Sequence, residues 1–255
     1  MMLGGKKIVI MGVANKRSIA WAIARAFHEA GAELAFTYQN ERFKDKVEKL
    51  VGEEMPGSLL LPCDVSEDAE LDNLAEELSS KWGRIHGVVH SIAHAKKEEL
   101  DGLFSETSRD CFLLAHNVSA YSLVAVTRQL YPLMEEGGSI ITLTFQGSQR
   151  VVPNYNVMGV AKASLEASVR YLASDLGPHG IRVNAISAGP IRTLSAKGVK
   201  DFNRMLEGIE EKTPLSRLAT AEDVADTALY LSADMSRAVT GTIHYVDCGY
   251  HIMGS

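Results

Sequence analysis

Seven short runs of apolar and β-branched residues recur along the chain, at 7–11, 33–38, 58–62, 87–90, 139–144, 182–187 and 242–246. Most are near-continuous rather than alternating, the pattern of strands covered on both faces in a parallel sheet. Between them the apolar positions take a helical period. Ile19, Ile23, Phe27 and Ala30 fall on one stripe with Gly31 as its stop, and Leu165, Val169, Leu172 and Leu176 form another, closed by Gly177 and Pro178. Strand, helix, strand repeated through the whole length predicts an α/β fold with right-handed crossovers. The expectation is one doubly wound domain over residues 1–255, its seven-stranded parallel sheet carrying helices on both faces. The longest stretch without a pattern is 189–214, and so long a loop in a compact domain points to a functional lid.

Composition narrows the function classes. The chain has 255 residues, 46% hydrophobic and 23% charged, as in an ordinary soluble globular protein. A net charge of −6 lacks the basic excess that a nucleic-acid surface needs. No apolar run approaches the roughly 18–20 residues of a membrane span, and residues 1–10 contain no secretory apolar region. Cys63, Cys111 and Cys248 are odd in number and without CxxC spacing, so neither a disulfide framework nor a zinc site is expected; a cytoplasmic location fits.

In doubly wound sheets ligands bind beyond the carboxyl ends of the strands, where strand order reverses. The first run leads into Gly12-Val13-Ala14-Asn15-Lys16-Arg17-Ser18-Ile19. Glycine permits a tight turn there, and a helix N-terminus offers free N–H groups to a pyrophosphate. The usual GxGxxG is absent, Ser18 standing where a glycine often would, so the loop reads either as a cofactor cradle or as a plain strand-to-helix turn. Its hydroxyl can cap the helix or bond a phosphate oxygen. The second run ends Tyr38-Gln39-Asn40-Glu41-Arg42, with no aspartate for a ribose 2′-hydroxyl and no adjacent basic pair for a 2′-phosphate. Glu41 would repel that phosphate and Arg42 attract it; the pattern favours NADH over NADPH, although 40–42 also reads as a simple polar loop. The third ends at Asp64 and Val65, where Asp64 can meet an adenine amino group or, with Glu67 three residues on, form a capping box. The fourth ends at Ser91 and Ile92. His90 and His94 read as strand-end or surface histidines, and with no third ligand no metal site is assigned.

The strongest constellation is Tyr155-Asn-Val-Met-Gly-Val-Ala-Lys162. Seven helical residues are two turns, which puts phenol and ammonium on one face about 10 Å apart along the axis. A lysine there would lower the phenol's pKa by its charge. A surface Tyr and Lys on a helix is the plain alternative.

These residues resemble the short-chain dehydrogenases/reductases, Rossmann-type enzymes, and within them the bacterial enoyl-acyl carrier protein reductases. The resemblance covers almost the whole chain and is most specific at Gly12–Ile19, at Pro153-Asn-Tyr-Asn-Val-Met-Gly-Val-Ala-Lys-Ala-Ser164 and at Arg182-Val-Asn-Ala-Ile-Ser-Ala-Gly-Pro-Ile-Arg-Thr193. It implies NADH-dependent reduction of the trans-2 double bond of an enoyl thioester carried on acyl carrier protein, in fatty-acid elongation. It implies Tyr155 and Lys162 as catalytic residues. The cofactor would lie at Gly12, Ser18, Ile19, Gln39, Asp64, Val65, Ile92, Lys162, Ile191, Arg192, Thr193, Leu194 and Ser195, and substrate at Ala95, Phe145, Met158 and Phe202. Residues 190–206 would form the lid, Lys200 and Arg204 would meet the acidic carrier protein, and the chain would form a homotetramer through 164–176 and 245–252. Tyr-x6-Lys replaces the common Tyr-x3-Lys. Hydride here goes to the β-carbon, and one added turn of about 5.4 Å moves the phenol toward the more distant carbonyl oxygen.

One position departs from the pattern. Where a second active-site tyrosine is usual, this chain has Phe145, followed by Gln146, so a hydrogen-bond donor is lost unless the amide replaces it. That leaves chain-length preference open and keeps two other readings in view: a reductase of another enone or carbonyl, and a non-catalytic NAD-binding sensor.

Overall fold

The computed structural model describes residues 1–193, 206 and 208–254. Its strands are β1 (Lys7–Met11), β2 (Glu33–Tyr38), β3 (Leu59–Pro62), β4 (Gly87–His90), β5 (Gly138–Thr144), β6 (Ile181–Ala188) and β7 (Ile243–Val246). They form one seven-stranded sheet in the order β3-β2-β1-β4-β5-β6-β7, parallel throughout. The helices that flank it are α1 (Ile19–Glu29), α2 (Glu41–Glu54), α3 (Asp68–Trp82), α4 (Arg109–His116), α5 (Ser122–Leu130), α6 (Asn156–Leu176) and α7 (Ala221–Ser232).

Strand residues point alternately to the two faces, and each face carries its own core. Ile8 and Ile10 pack with Trp21 and Phe27 of α1, Val47 of α2 and Leu231 of α7. Val9 and Met11 pack on the other side with Leu74 of α3, Leu123 of α5 and Leu165 and Val169 of α6. This two-sided burial is why the strands read as unbroken apolar runs. Each fully buried Leu or Ile contributes about 1.5–3 kcal/mol, so the layers hold the sheet without disulfides; all three cysteines are free.

Local details depart from the sequence reading where a partner distant in sequence decides. Ser58 and Thr242 lie just outside their strands, while Gly138, Ile181 and Ala188 extend theirs by pairing with neighbours. Residues 40–42 are no loop: Asn40 precedes α2, which begins at Glu41. Gly177 keeps a helical φ of −53°, and the left-handed residue that ends the turn after α6 is Gly180, with φ +70°. The capping box at Asp64 is also absent. Glu70, not Glu67, accepts the Asp64 N–H at 2.5 Å, and Asp64 Oδ1 accepts the Ser66 N–H at 3.0 Å.

Strand order reverses between β1 and β4, both central, so their carboxyl ends open a crevice. The chain leaves β1 through Gly12 at φ +92°, where an added Cβ would stand 1.9 Å from the Ser91 carbonyl oxygen. Only glycine suits that conformation and that approach. Gly12→Ala is therefore expected to lower unfolding stability in urea by about 1–3 kcal/mol or more and to weaken dinucleotide binding in the same preparation.

Candidate active site

The crevice widens into a cavity of about 410 Å³ at the carboxyl ends of β1, β4, β5 and β6. Gly12, Ser18, Ile19 and Ile92 line it from the β1 and β4 side, and Ile191 and Thr193 from beyond β6. Ala95, Phe145, Tyr155, Met158 and Lys162 line the remainder. Residues as far apart in sequence as Gly12 and Thr193 thus converge on one space.

At the β1 end, Ser18 Oγ does not cap α1. It accepts the N–H groups of Ala14 and Asn15, both at 3.1 Å, and so shapes the loop while its own hydrogen stays available as a donor. Trp21 and Ala22 donate to the Ser18 carbonyl, which leaves the N–H groups of Ile19 and Ala20 outside the helical ladder. No acidic side chain stands in the first turn of α1 to compete for an anion there. A pyrophosphate fits this end by charge and by donors. Across the sheet, Gln39 Nε2 donates to Asp64 Oδ2 at 2.8 Å, joining the ends of β2 and β3. Hydrogen bonds from Ser66 and Gln39 outweigh partial burial and hold the Asp64 carboxyl below its ordinary range. Gln39, Asp64 and the buried Val65 lie outside the main cavity lining, in line with a dinucleotide's far end. Arg192 is exposed and also outside the lining. Leu194, Ser195 and Phe202, with Lys200 and Arg204, fall outside the described residues, as does the 190–206 lid apart from 190–193 and 206.

At the other end, α6 starts at Asn156, with Tyr155 half-buried just before it. Asn154 precedes it at φ +61°, a left-handed conformation that asparagine tolerates better than most residues. The Tyr155 ring meets Phe145 edge-on, centroids 5.1 Å apart at 70°. An added Cβ on Gly147 would come within 2.6 Å of the Tyr155 ring, and one on Gly159 within 2.6 Å of the Gly147 carbonyl oxygen. Lys162 is 5% exposed, and its Nζ donates to the Leu143 carbonyl at 2.7 Å. Burial pulls its pKa down from 10.5 to about 8, against an opposing pull from Glu166. The phenol behaves differently from the expectation: burial alone pushes Tyr155 up, with no counterweight from Lys162. Gln146 lines a neighbouring cavity of about 210 Å³ that Phe145 also borders, not the main one, so its amide does not replace the missing hydroxyl there.

Several supporting residues went unread in the sequence. His90 ends β4 but is 0% exposed, not a surface histidine. Its ring nitrogens both lie beside hydroxyls, Nε2 2.8 Å from Ser122 Oγ and Nδ1 3.0 Å from Thr142 Oγ1, while those hydroxyls donate to the Val118 carbonyl at 2.6 Å and to the His90 carbonyl at 3.1 Å. Burial and the Lys162 charge bring its pKa down to about 3 and keep it neutral. A single π-helical turn, Asn117–Tyr121, joins α4 to α5 and turns Ser119 toward the loop after β4. Its Oγ accepts the His94 N–H at 2.9 Å and donates to the His94 carbonyl at 3.1 Å. Glu166, also buried, carried one readable signal, a charged residue four positions after Lys162 on the same helix.

A doubly wound sheet with an anion-ready helix terminus at one end of its cavity, and a buried phenol and ammonium at the other, defines a nicotinamide-dinucleotide oxidoreductase. A family model described as enoyl-(acyl carrier protein) reductase matches residues 12–251. The chain is 59% identical over 251 residues to the enoyl-acyl-carrier-protein reductase (NADH) FabI of Bacillus subtilis, covering 98% of this chain and 97% of that protein. It superposes with TM-score 0.98 at 60% identity on a Bacillus cereus enoyl-acyl carrier protein reductase crystallised with NADP+ and indole naphthyridinone, over 100% and 99% of the two chains. The corresponding enzyme of Anaplasma phagocytophilum, in complex with NAD, gives TM-score 0.96 at 48% identity, over 100% and 97%. The chain belongs to the enoyl-(acyl carrier protein) reductase family.

The depressed pKa of Lys162 has a signature in stability. The folded chain releases that proton near 8 and the unfolded chain near 10.5, so between those values the unfolded state binds more protons and the position gains stability as pH rises. Thermal unfolding of dinucleotide-free wild type against Lys162→Met from pH 7 to 10.5 should therefore show wild type gaining on the variant above about pH 8. A constant difference across that range would count against a buried ammonium.

Proposed function

We infer that the chain reduces the trans-2 double bond of enoyl thioesters carried on acyl carrier protein, with NADH as reductant, in fatty-acid elongation. The observation that carries the reading is Tyr155 and Lys162 facing one cavity with Gly12 and Ser18, in a chain 59% identical over its length to a named NADH-dependent reductase. When bound, the reduced nicotinamide would supply hydride to C3 of the enoyl thioester, and a proton from solvent or Tyr155 at C2 would complete the saturated thioester.

The protein's own groups do the rest. Gly12 gives the pyrophosphate room, and Ser18 and the open N–H groups at Ile19 donate to it. Gln39, Asp64 and Val65 flank the adenosine end; Asp64 Oδ1 already accepts two hydrogen bonds from Ser66, while Oδ2, which accepts from Gln39, keeps a lone pair. Ile92, Ile191 and Thr193 wall the nicotinamide end. Lys162 spends one of its three hydrogens on the Leu143 carbonyl and has two for ribose hydroxyls. Tyr155, kept protonated by burial, donates its O–H to the thioester carbonyl oxygen as negative charge develops on it, an interaction stronger in the transition state than in the ground state. Ala95, Met158 and Phe145 form apolar walls for the substrate. Phe145 orients the phenol through its ring edge and leaves that donation to Tyr155.

The same reading includes a homotetramer in the cytoplasm. Supporting it, Phe112 and Leu113 of α4, Tyr121 of the following turn, and Val160 and Tyr171 of α6 are exposed apolar side chains on elements that pack together. Three unpaired cysteines suit a reducing compartment. Among the described residues no helix is long and apolar enough to cross a membrane.

Two measurements test the reading. Crotonyl thioester should drive oxidation of NADH, and Tyr155→Phe should lose about 10²–10⁴-fold in kcat with NADH binding retained; an unimpaired variant would remove the phenol from the mechanism. Light scattering in solution should give about four times the 27.7 kDa chain mass, and a monomer would refute the assembly.

A further inference from the structure

Below the cavity, one turn further along α6 than Lys162, a second ionisable group is buried. Glu166 is 5% exposed, as is Lys162. Its Oε1 accepts the Thr144 hydroxyl at 2.7 Å and the Ser148 hydroxyl at 2.5 Å. Thr144 is the last residue of β5 and follows Leu143, whose carbonyl takes the Lys162 ammonium at 2.7 Å. Two successive residues of one strand thus hold two successive turns of one helix. Ser148 belongs to the tight turn Gln146–Ser148 that continues from Phe145 and lies against the Tyr155 ring at Gly147.

We propose that Glu166 is a positioning residue of this site: its carboxylate clamps the 146–148 turn beside Tyr155 and supplies the negative charge that accompanies the buried ammonium of Lys162. The proposal rests on the roles given above to Tyr155 and Lys162. Among the described residues, Glu166 is the source of negative charge acting on Lys162. His90 of β4 is neutral, and Cys111 of α4, packed against Ala161 and Val157, is a thiol that burial pushes up. Tyr155 is protonated, and Tyr245 of β7, near Glu166, is itself raised by burial and by the Glu166 charge. The charge of Glu166 works against burial to keep Lys162 protonated.

Both of these hydrogen bonds go to one oxygen, which lets charge and clamp be separated. Glu166→Gln keeps Oε1 as acceptor and removes the charge. If activity needs cationic Lys162, the rate falls as pH rises through its pKa, and this variant should move that limb of the kcat/KM profile to lower pH by about one unit or more. In dinucleotide-free protein the pH window of Lys162-linked stability should move the same way, while Glu166→Asp restores both. Ser148→Ala keeps the charge and loosens the turn: KM should rise about tenfold with the alkaline limb unmoved. Superimposable profiles for wild type and Glu166→Gln, with Lys162→Met inactive, would overturn the charge role; an unchanged KM in Ser148→Ala would overturn the clamp. A fully active Lys162→Met would instead sink the roles of Tyr155 and Lys162 on which the proposal stands.

Discussion

Much of this molecule is organised around an ammonium ion kept out of water. Burying Lys162 carries a desolvation cost visible in its lowered pKa, and the surroundings offset it with one carbonyl and one nearby carboxylate. The carbonyl is available because it lies at the end of β5, where Leu143 and Thr144 face the start of α6. That end is fixed in turn by pairing with β4 on one side and β6 on the other. The sheet therefore does more than bury apolar surface: its central strands place a backbone acceptor where the helix needs one.

The neutral histidine at the end of β4 belongs to the same economy of charge. A protonated imidazole beside Lys162 would add a second buried cation, and burial together with the Lys162 charge keeps His90 uncharged, its two ring nitrogens beside hydroxyls of β5 and α5. It acts as a strut between strand and helix rather than as an acid or base. The Ser119 clip on His94 continues this support into the loop that forms the cavity wall, and it depends on the single π turn that rotates the serine into place.

How far the sequence could be read follows the range of the interactions. The strand runs were legible because two-sided burial writes itself as unbroken apolar stretches, and Tyr155 and Lys162 were legible as a pair at a fixed interval, although Tyr155 stands just before α6 and not within it. The capping-box reading of Asp64 failed because its neighbour Glu67 satisfies a local rule, whereas the Asp64 N–H donates to Glu70. His90 read as a strand-end or surface histidine, and the strand end is where it lies; its burial was hidden because nothing within its own segment reveals Thr142 or Ser122, 52 and 32 positions away. Glu166 shows the same limit: its interval from Lys162 is readable, but Thr144 and Ser148 come from another element. The Phe145 substitution was visible as a lost hydroxyl, yet only coordinates reveal that Gln146 turns into the adjoining cavity.

Gly159 lets α6 rest on the Gly147 carbonyl of the turn after β5, main chain against main chain. Peptide planes have no rotamers. The spacing of phenol and ammonium is thereby inherited from main chain resting on main chain, and thermal jostling of neighbouring side chains has little leverage over it.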